Sequence, residues 1–278
     1  MPMKQTRLNA YIAVVSARYR TLLQYRAAAI AGFTTQLFWG CINIMVLMAF
    51  YALSSEPQPM TLPQVISYVW LGQAFLGMLP WSVDKEIETM IMRGDVAYEL
   101  VRPLDLYNLW FSRTIALRTA TTTLRSLPML VFALMVLPLL GFPEWSLQPP
   151  ESLAAFVVFL IAMVGALTLA VSFTMIMHVV LIYTLSGDGI NRILPSFTII
   201  LSGNMLPLPL FPDWMQPFLN LQPFRGLVDV PFRIYTGDIA ALSAGPDIVH
   251  QLVWAAIFIM LGRWMLSRSM SRVVVQGG

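Results

Sequence analysis

Residues 90–105 read Met-Ile-Met-Arg-Gly-Asp-Val-Ala-Tyr-Glu-Leu-Val-Arg-Pro-Leu-Asp, with charges at Arg93, Asp95, Glu99, Arg102 and Asp105. This dense polar island stands in a 278-residue chain that is 58% hydrophobic and only 11% charged. An ordinary soluble domain carries about 25% charged residues. With a mean hydropathy of +0.71, the rest of the chain is apolar enough to live in lipid. The island is therefore a water-exposed connection between membrane segments.

Moving outward from it, charge-free windows run between Arg26 and Glu56, Glu56 and Asp84, Arg125 and Glu144, Glu151 and Asp188, Arg192 and Asp213, and Asp247 and Arg263. Crossing about 30 Å of hydrocarbon takes roughly 20 residues, within a range of about 17–25. The first five windows reach that length. The sixth reaches it if Asp247 and Arg263 snorkel, helped by His250, Trp254 and Trp264 near its ends. An all-α integral membrane protein with six spans is predicted. Of the 17 basic residues, all but Arg225 and Arg233 fall on one side of that topology. The positive-inside rule makes this side cytoplasmic, together with both termini. The net charge of +3 thus reports orientation, and no basic stripe with interleaved aromatics points to nucleic acid.

Before the first span, Leu8, Tyr11, Ile12, Val15, Tyr19, Leu22 and Leu23 recur at helical spacing, with Arg7, Arg18 and Arg20 elsewhere on the wheel. This predicts an amphipathic elbow helix on the cytoplasmic interface, either positioning span one or acting as a plain interfacial anchor. Pro128 and Pro138 predict kinks in span three. Residues 203–237 hold Pro207, Pro209, Pro212, Pro217, Pro223 and Pro231 among Phe and Trp. Such density forbids one continuous helix, and short helical pieces at the outer interface are expected, with Trp214 and Phe224 at headgroup depth. They are either a lid on an exit or a well-anchored connection. A single domain over 1–278 follows. It comprises an elbow (1–26), spans one and two (27–83), a cytoplasmic coupling region (84–112), spans three to five (113–212), an outer Pro-rich segment (213–246), and span six with a tail (247–278).

The chemistry an enzyme or ion pump needs is missing. Neither of the two lysines, Lys4 and Lys85, follows the glycine-rich turn of a nucleotide-binding loop. No acid falls in a confident membrane core, where a charge persists only for use. His178, the sole ionisable group in a long apolar run, is expected at the cytoplasmic interface. With one cysteine, Cys41, and two histidines, no metal site is expected. Asp84, Glu86 and Glu88 are read as facing water, with Lys85–Glu88 and Glu99–Arg102 as ion pairs. Arg118 and Arg125 lie seven residues apart on one helical face. Arg118 reads as the emergence of span three, and Arg125 either shares that role or joins Arg118 as a candidate contact for an anionic headgroup.

Within the island, Val83, Ile87, Met90 and Ile91 predict a helix over 84–93. Gly94 is a left-handed stop, with Arg93 at the negative helix end. Asp95 caps a second short helix through Val101, and Pro103 breaks it. The expected product is a knob whose apolar patch (Val96, Leu100, Leu104) and charged rim suit docking, the simpler alternative being a connector. The run Gly94-Asp95-Val96-Ala97-Tyr98-Glu99-Leu100-Val101-Arg102-Pro103-Leu104 resembles the cytoplasmic loop of ABC-2 type permeases. The later residues Ser202-Gly203, Pro207, Phe211-Pro212, Trp214, Pro223-Phe224, Pro231, Ile234-Tyr235 and Gly237 agree with it.

That resemblance implies a small six-span permease of an ABC exporter in a bacterial cytoplasmic membrane. It implies two ATP-binding subunits on separate chains and a second permease, identical or paralogous. ATP and magnesium would sit on the ATPase, with no cofactor on this chain. Docking is carried over to Met90, Arg93, Gly94, Asp95, Val96, Tyr98, Glu99, Leu100, Arg102, Pro103 and Leu104. An outer gate is carried over to Gly203, Pro207, Phe211, Pro212, Trp214, Pro223 and Phe224. The cargo would be a lipid, amphiphilic drug or peptide. The rival readings are half of an ion-coupled transporter, a membrane enzyme acting on lipids, and a membrane assembly or regulatory protein.

Overall fold

The computed structural model describes residues 2–184 and 188–270; residues 185–187 and 271–278, the latter being the expected tail, lie outside the described residues. No strand occurs among them. Helix α1 (Pro2–Leu22) leads into α2 (Arg26–Leu53), then α3 (Leu62–Phe75) with a 3-10 turn over Leu76–Met78. Two short helices follow, α4 (Lys85–Arg93) and α5 (Val96–Leu100). Helix α6 (Leu106–Val131) passes through a π-helical turn (Phe132–Val136) into α7 (Leu137–Leu139). Helices α8 (Leu153–Thr184), α9 (Asp188–Leu201), α10 (Gln216–Leu221), α11 (Asp229–Tyr235) and α12 (Gly245–Met270) complete the order.

Four helical stretches are long and apolar enough to cross a membrane: Ile30–Leu53, Leu106–Leu139, Leu153–Thr184 and Gly245–Met270. Expected spans two and five appear instead as the 14-residue helices α3 and α9, each rising about 21 Å. Helix α3 gives way to a 3-10 turn ahead of Pro80. From Val65 to Ala74 its side chains are all buried, so it is an internal helix clad by its neighbours. Helix α9 carries Pro195 and ends before Gly203, at φ 85°. Helix α6 runs on through Pro128; the π turn precedes Pro138, whose missing N–H and ring deny the Leu134 carbonyl its helical bond and force a local change of register.

Two hydrophobic cores organise the bundle. The larger surrounds α3, which carries Trp70 and Tyr68 and packs on α2, α6 and α11. Trp70 donates its indole N–H to the Trp145 carbonyl at 2.7 Å, which satisfies the polar atom of a fully buried ring. A smaller core joins Val83, Ile87, Ile91 and Val96 to Tyr107, Trp110, Met175 and Leu266. Helix α12 lies along α8, and α1 along α6. The expected stripe on α1 divides: Leu8 and Ile12 are exposed, while Tyr11, Val15 and Tyr19 turn inward.

Candidate functional site

The knob forms two short helices as expected, but Asp95, expected to cap the second, makes no side-chain capping bond and has helical backbone angles. Asp84 caps α4 by accepting the Glu86 N–H at 3.0 Å, and Gly94 ends it at φ 77°. An L side chain disfavours that conformation by about 1–2 kcal/mol. Gly94 has open space around a built Cβ, so the demand on glycine is purely conformational. Gly94→Ala is expected to loosen the α4–α5 turn by about 1 kcal/mol, visible as faster amide exchange across α4 and α5 with the rest of the chain unchanged.

Several expected surface residues point inward. Val96 is 5% exposed and belongs to the small core, and Glu99 is also 5% exposed. Glu99 accepts from Arg113 at 3.2 Å and lies 3.6 Å from Arg102. The expected Glu99–Arg102 pair is thus the outer arm of a pair that roots the knob in α6. The outward face is formed by Met92, Tyr98, Leu100 and Val101, each half exposed or more, with Arg93 and Arg102 also exposed. Met90, Asp95 and Leu104 are half-buried and Pro103 is exposed. Met92, on the nine-residue α4, and Val101, just past the five-residue α5, were missed because periodicity alone does not say which side of so short a helix meets the bundle.

The root of the knob overturns three expectations. Asp84 is 2% exposed rather than facing water. It pairs with Arg18 at 2.7 Å, which ties α1 to the knob. Its backbone N–H donates to His178 Nε2 at 2.8 Å. His178 lies toward the knob end of α8 and is fully buried against Trp110. Its distance along α8 was legible, but the cover of α4 was not. Arg118, expected to emerge into water, is 5% exposed and donates to the Ser82 carbonyl at 2.7 Å and Thr174 Oγ1 at 3.2 Å. No Lys85–Glu88 pair forms among the described residues; Glu86 turns to Arg18 at 3.2 Å instead. Asp84→Asn keeps the cap but removes the charge facing Arg18. It is expected to cost about 2 kcal/mol, read by thermal unfolding in detergent.

At the far end of the bundle the Pro-rich segment folds into short pieces, and the seven expected gate residues divide among them. Gly203 and Pro207 are buried. A Cβ on Gly203 would lie 2.5 Å from the Tyr68 hydroxyl, so this turn tolerates no side chain. Pro212 and Trp214 are exposed, with Phe211 and Pro223 between these extremes. Phe224 is half-buried and wedges onto Phe173 of α8, ring centroids 5.1 Å apart. The next turn packs on α12, where Gln251 donates to the Gly226 carbonyl at 2.6 Å.

Asp229, which sequence reasoning passed over, anchors this segment. Fully buried, it accepts from the Leu208 N–H at 3.1 Å and from Arg233 at 3.2 Å, with the Tyr68 hydroxyl at 3.4 Å. Burial pushes its carboxyl above the usual range, and Arg233 pulls part of that back. Arg233 in turn holds Asp238 at 2.5 Å. The available signal was the spacing Asp229–Arg233, an i, i+4 acid–base pair in an otherwise apolar stretch. Asp247, expected to snorkel, pairs with Arg225 at 2.7 Å.

The arrangement defines a class: an all-helical membrane protein with a rooted charged knob at one end and a broken, Pro-rich segment at the other. The chain belongs to the ABC-2 transporter family. The family model described as ABC-2 family transporter protein matches residues 37–277, which takes in both the knob and the Pro-rich segment. No curated protein matches the chain significantly.

Proposed function

We propose that this chain is the permease subunit of an ATP-driven exporter, crossing the bacterial cytoplasmic membrane six times with both termini inside. Helices α3 and α9 count as the second and fifth spans, completed by the turns that follow them. The observation that carries this reading is the two-sided knob. Its exposed face offers Tyr98, Leu100 and Val101, while its inner face is bonded to α1 through Asp84–Arg18, to α8 through His178 and to α6 through Glu99–Arg113. A push on the outer face therefore reaches three helices at once.

In this reading two ATP-binding subunits close on ATP and press the knobs of two permeases, identical or paralogous. The bundles rock, and the Pro-rich segment opens the outer exit for a lipid, amphiphilic drug or peptide. Membership of a family of transporter membrane proteins supports the permease role. The test is to purify the tagged chain from its native membrane in mild detergent. A co-purifying subunit with nucleotide-binding motifs, and vanadate-sensitive ATP hydrolysis, is expected. Transport sustained by an ion gradient after ATP removal would overturn the reading.

A further inference from the structure

Beside the root of the knob, a cavity of about 430 Å³ opens between α1, the α3–α4 connection and α6. Its charged lining is Arg18, Lys85, Arg118 and Arg125 against Asp84 and Glu86. The two acids are committed to Arg18. Among the described residues Arg118 pairs with no carboxylate, bonding only Ser82 and Thr174, and its buried Nε has no partner. Arg125 makes no hydrogen bond or ion pair among the described residues and is only partly exposed. The cavity therefore carries excess positive charge that the protein itself leaves unmatched.

The position of Arg125 is specific. Its guanidinium rests on the backbone of α2 at Gly32, where a built Cβ would lie 2.9 Å from Arg125 Nε. A side chain at residue 32 would push it away. Arg118 and Arg125 stand two turns apart on α6, about 10 Å along its axis. From Arg125 to Leu139, at the end of α7, the rise is about 21 Å. A hydrocarbon slab of about 30 Å then places Arg125 inside its knob-end boundary, with Arg118 at that boundary. Arginine at such depth persists where it meets a counter-charge or water. Helix α1, whose Tyr19 hydroxyl donates to Thr123 at 3.3 Å, walls the cavity on the headgroup side.

We propose that Arg118 and Arg125, with Lys85 at the rim, bind the phosphate of an anionic lipid headgroup from the knob-end leaflet. The acyl chains run along α2, where Ile30 is exposed. The site does not depend on ATP-driven transport. Its experiment is calorimetric titration of the purified, delipidated full chain in detergent. The ligands are dioctanoyl phosphatidylglycerol, the phosphatidylcholine analogue and inorganic phosphate.

Expected is one saturable phosphatidylglycerol site, with phosphatidylcholine weaker. Arg125→Gln should weaken it about 10- to 100-fold, the worth of one charge-assisted contact to phosphate. Arg125→Lys should restore part of the loss, and Gly32→Val should weaken binding without removing any charge. Arg125 is partly exposed, so its variants remain folded where Arg118 variants need not. Equal affinity for the lipid in wild type and Arg125→Gln would overturn the proposal. Inorganic phosphate binding as tightly as the lipid would overturn the lipid assignment.

Discussion

Tyr98→Glu combined with Val101→Glu is expected to detach the ATP-binding subunit while leaving the chain folded. These side chains are 74% and 80% exposed, so their loss removes no contact within the bundle. Surface changes of this kind shift stability by about 0.5 kcal/mol or less. At an interface the arithmetic differs. An aromatic anchor in a buried docking patch is worth about 2–4 kcal/mol, and a carboxylate in its place adds a desolvation penalty. The pair should therefore weaken association about 100-fold or more. Binding of the purified ATPase to the immobilised permease measures it, with thermal unfolding as the control. Unchanged affinity would mean that the partner docks elsewhere. Glu99→Gln contrasts usefully, because Glu99 faces Arg113 and not the partner. It should reduce stability and blunt coupling while leaving partner affinity within a few-fold.

Asp229→Ala carries the second large effect. The substitution strips the acceptor from the buried Leu208 N–H and the Tyr68 hydroxyl, and one partner from Arg233. Removing one member of a buried charged network costs about 3–5 kcal/mol. The Pro-rich segment should lose its order, with protease sensitivity appearing between Gly203 and Asp229. The direction of the carboxyl's shift sharpens the test. Its folded pKa is raised, first by burial, against the pull of Arg233. A raised carboxyl stabilises the fold when protonated: its contribution is present below the ordinary aspartate range and lost as pH rises through the raised value. Its value to the fold thus lies in accepting hydrogen bonds more than in its charge. Asp229→Asn, which keeps the acceptor while Arg233 retains Asp238, should be clearly milder than Asp229→Ala. Equal damage from the two would assign the role to charge.

Hydropathy reached as far as one-dimensional information reaches. Charge-free windows located the long helices, because lipid excludes charge wherever the chain crosses it. Gly94, Pro138 and Asp84 marked local events, because a positive φ, a missing N–H and a cap are properties of single residues. What stayed hidden was pairing at a distance. Asp84 sits beside Lys85 and Glu86 in sequence and reads as solvated, yet its partners Arg18 and His178 are 66 and 94 positions away. Arg118 reads as an emerging cation until Ser82 and Thr174 close over it. The shortness of α3 was also illegible, because a helix wrapped by others and one wrapped by lipid are equally apolar.

The split of the knob into an inward half and an outward half has a consequence for divergence between copies of this chain. The side chains that hold the knob in place, Val96, Glu99 and Asp84, are separate from those it turns outward, Met92, Tyr98, Leu100 and Val101. If a motor docks on that outward half as proposed, a duplicated copy can exchange one motor for another through a handful of surface substitutions, and its architecture goes untouched while the partnership is rewritten.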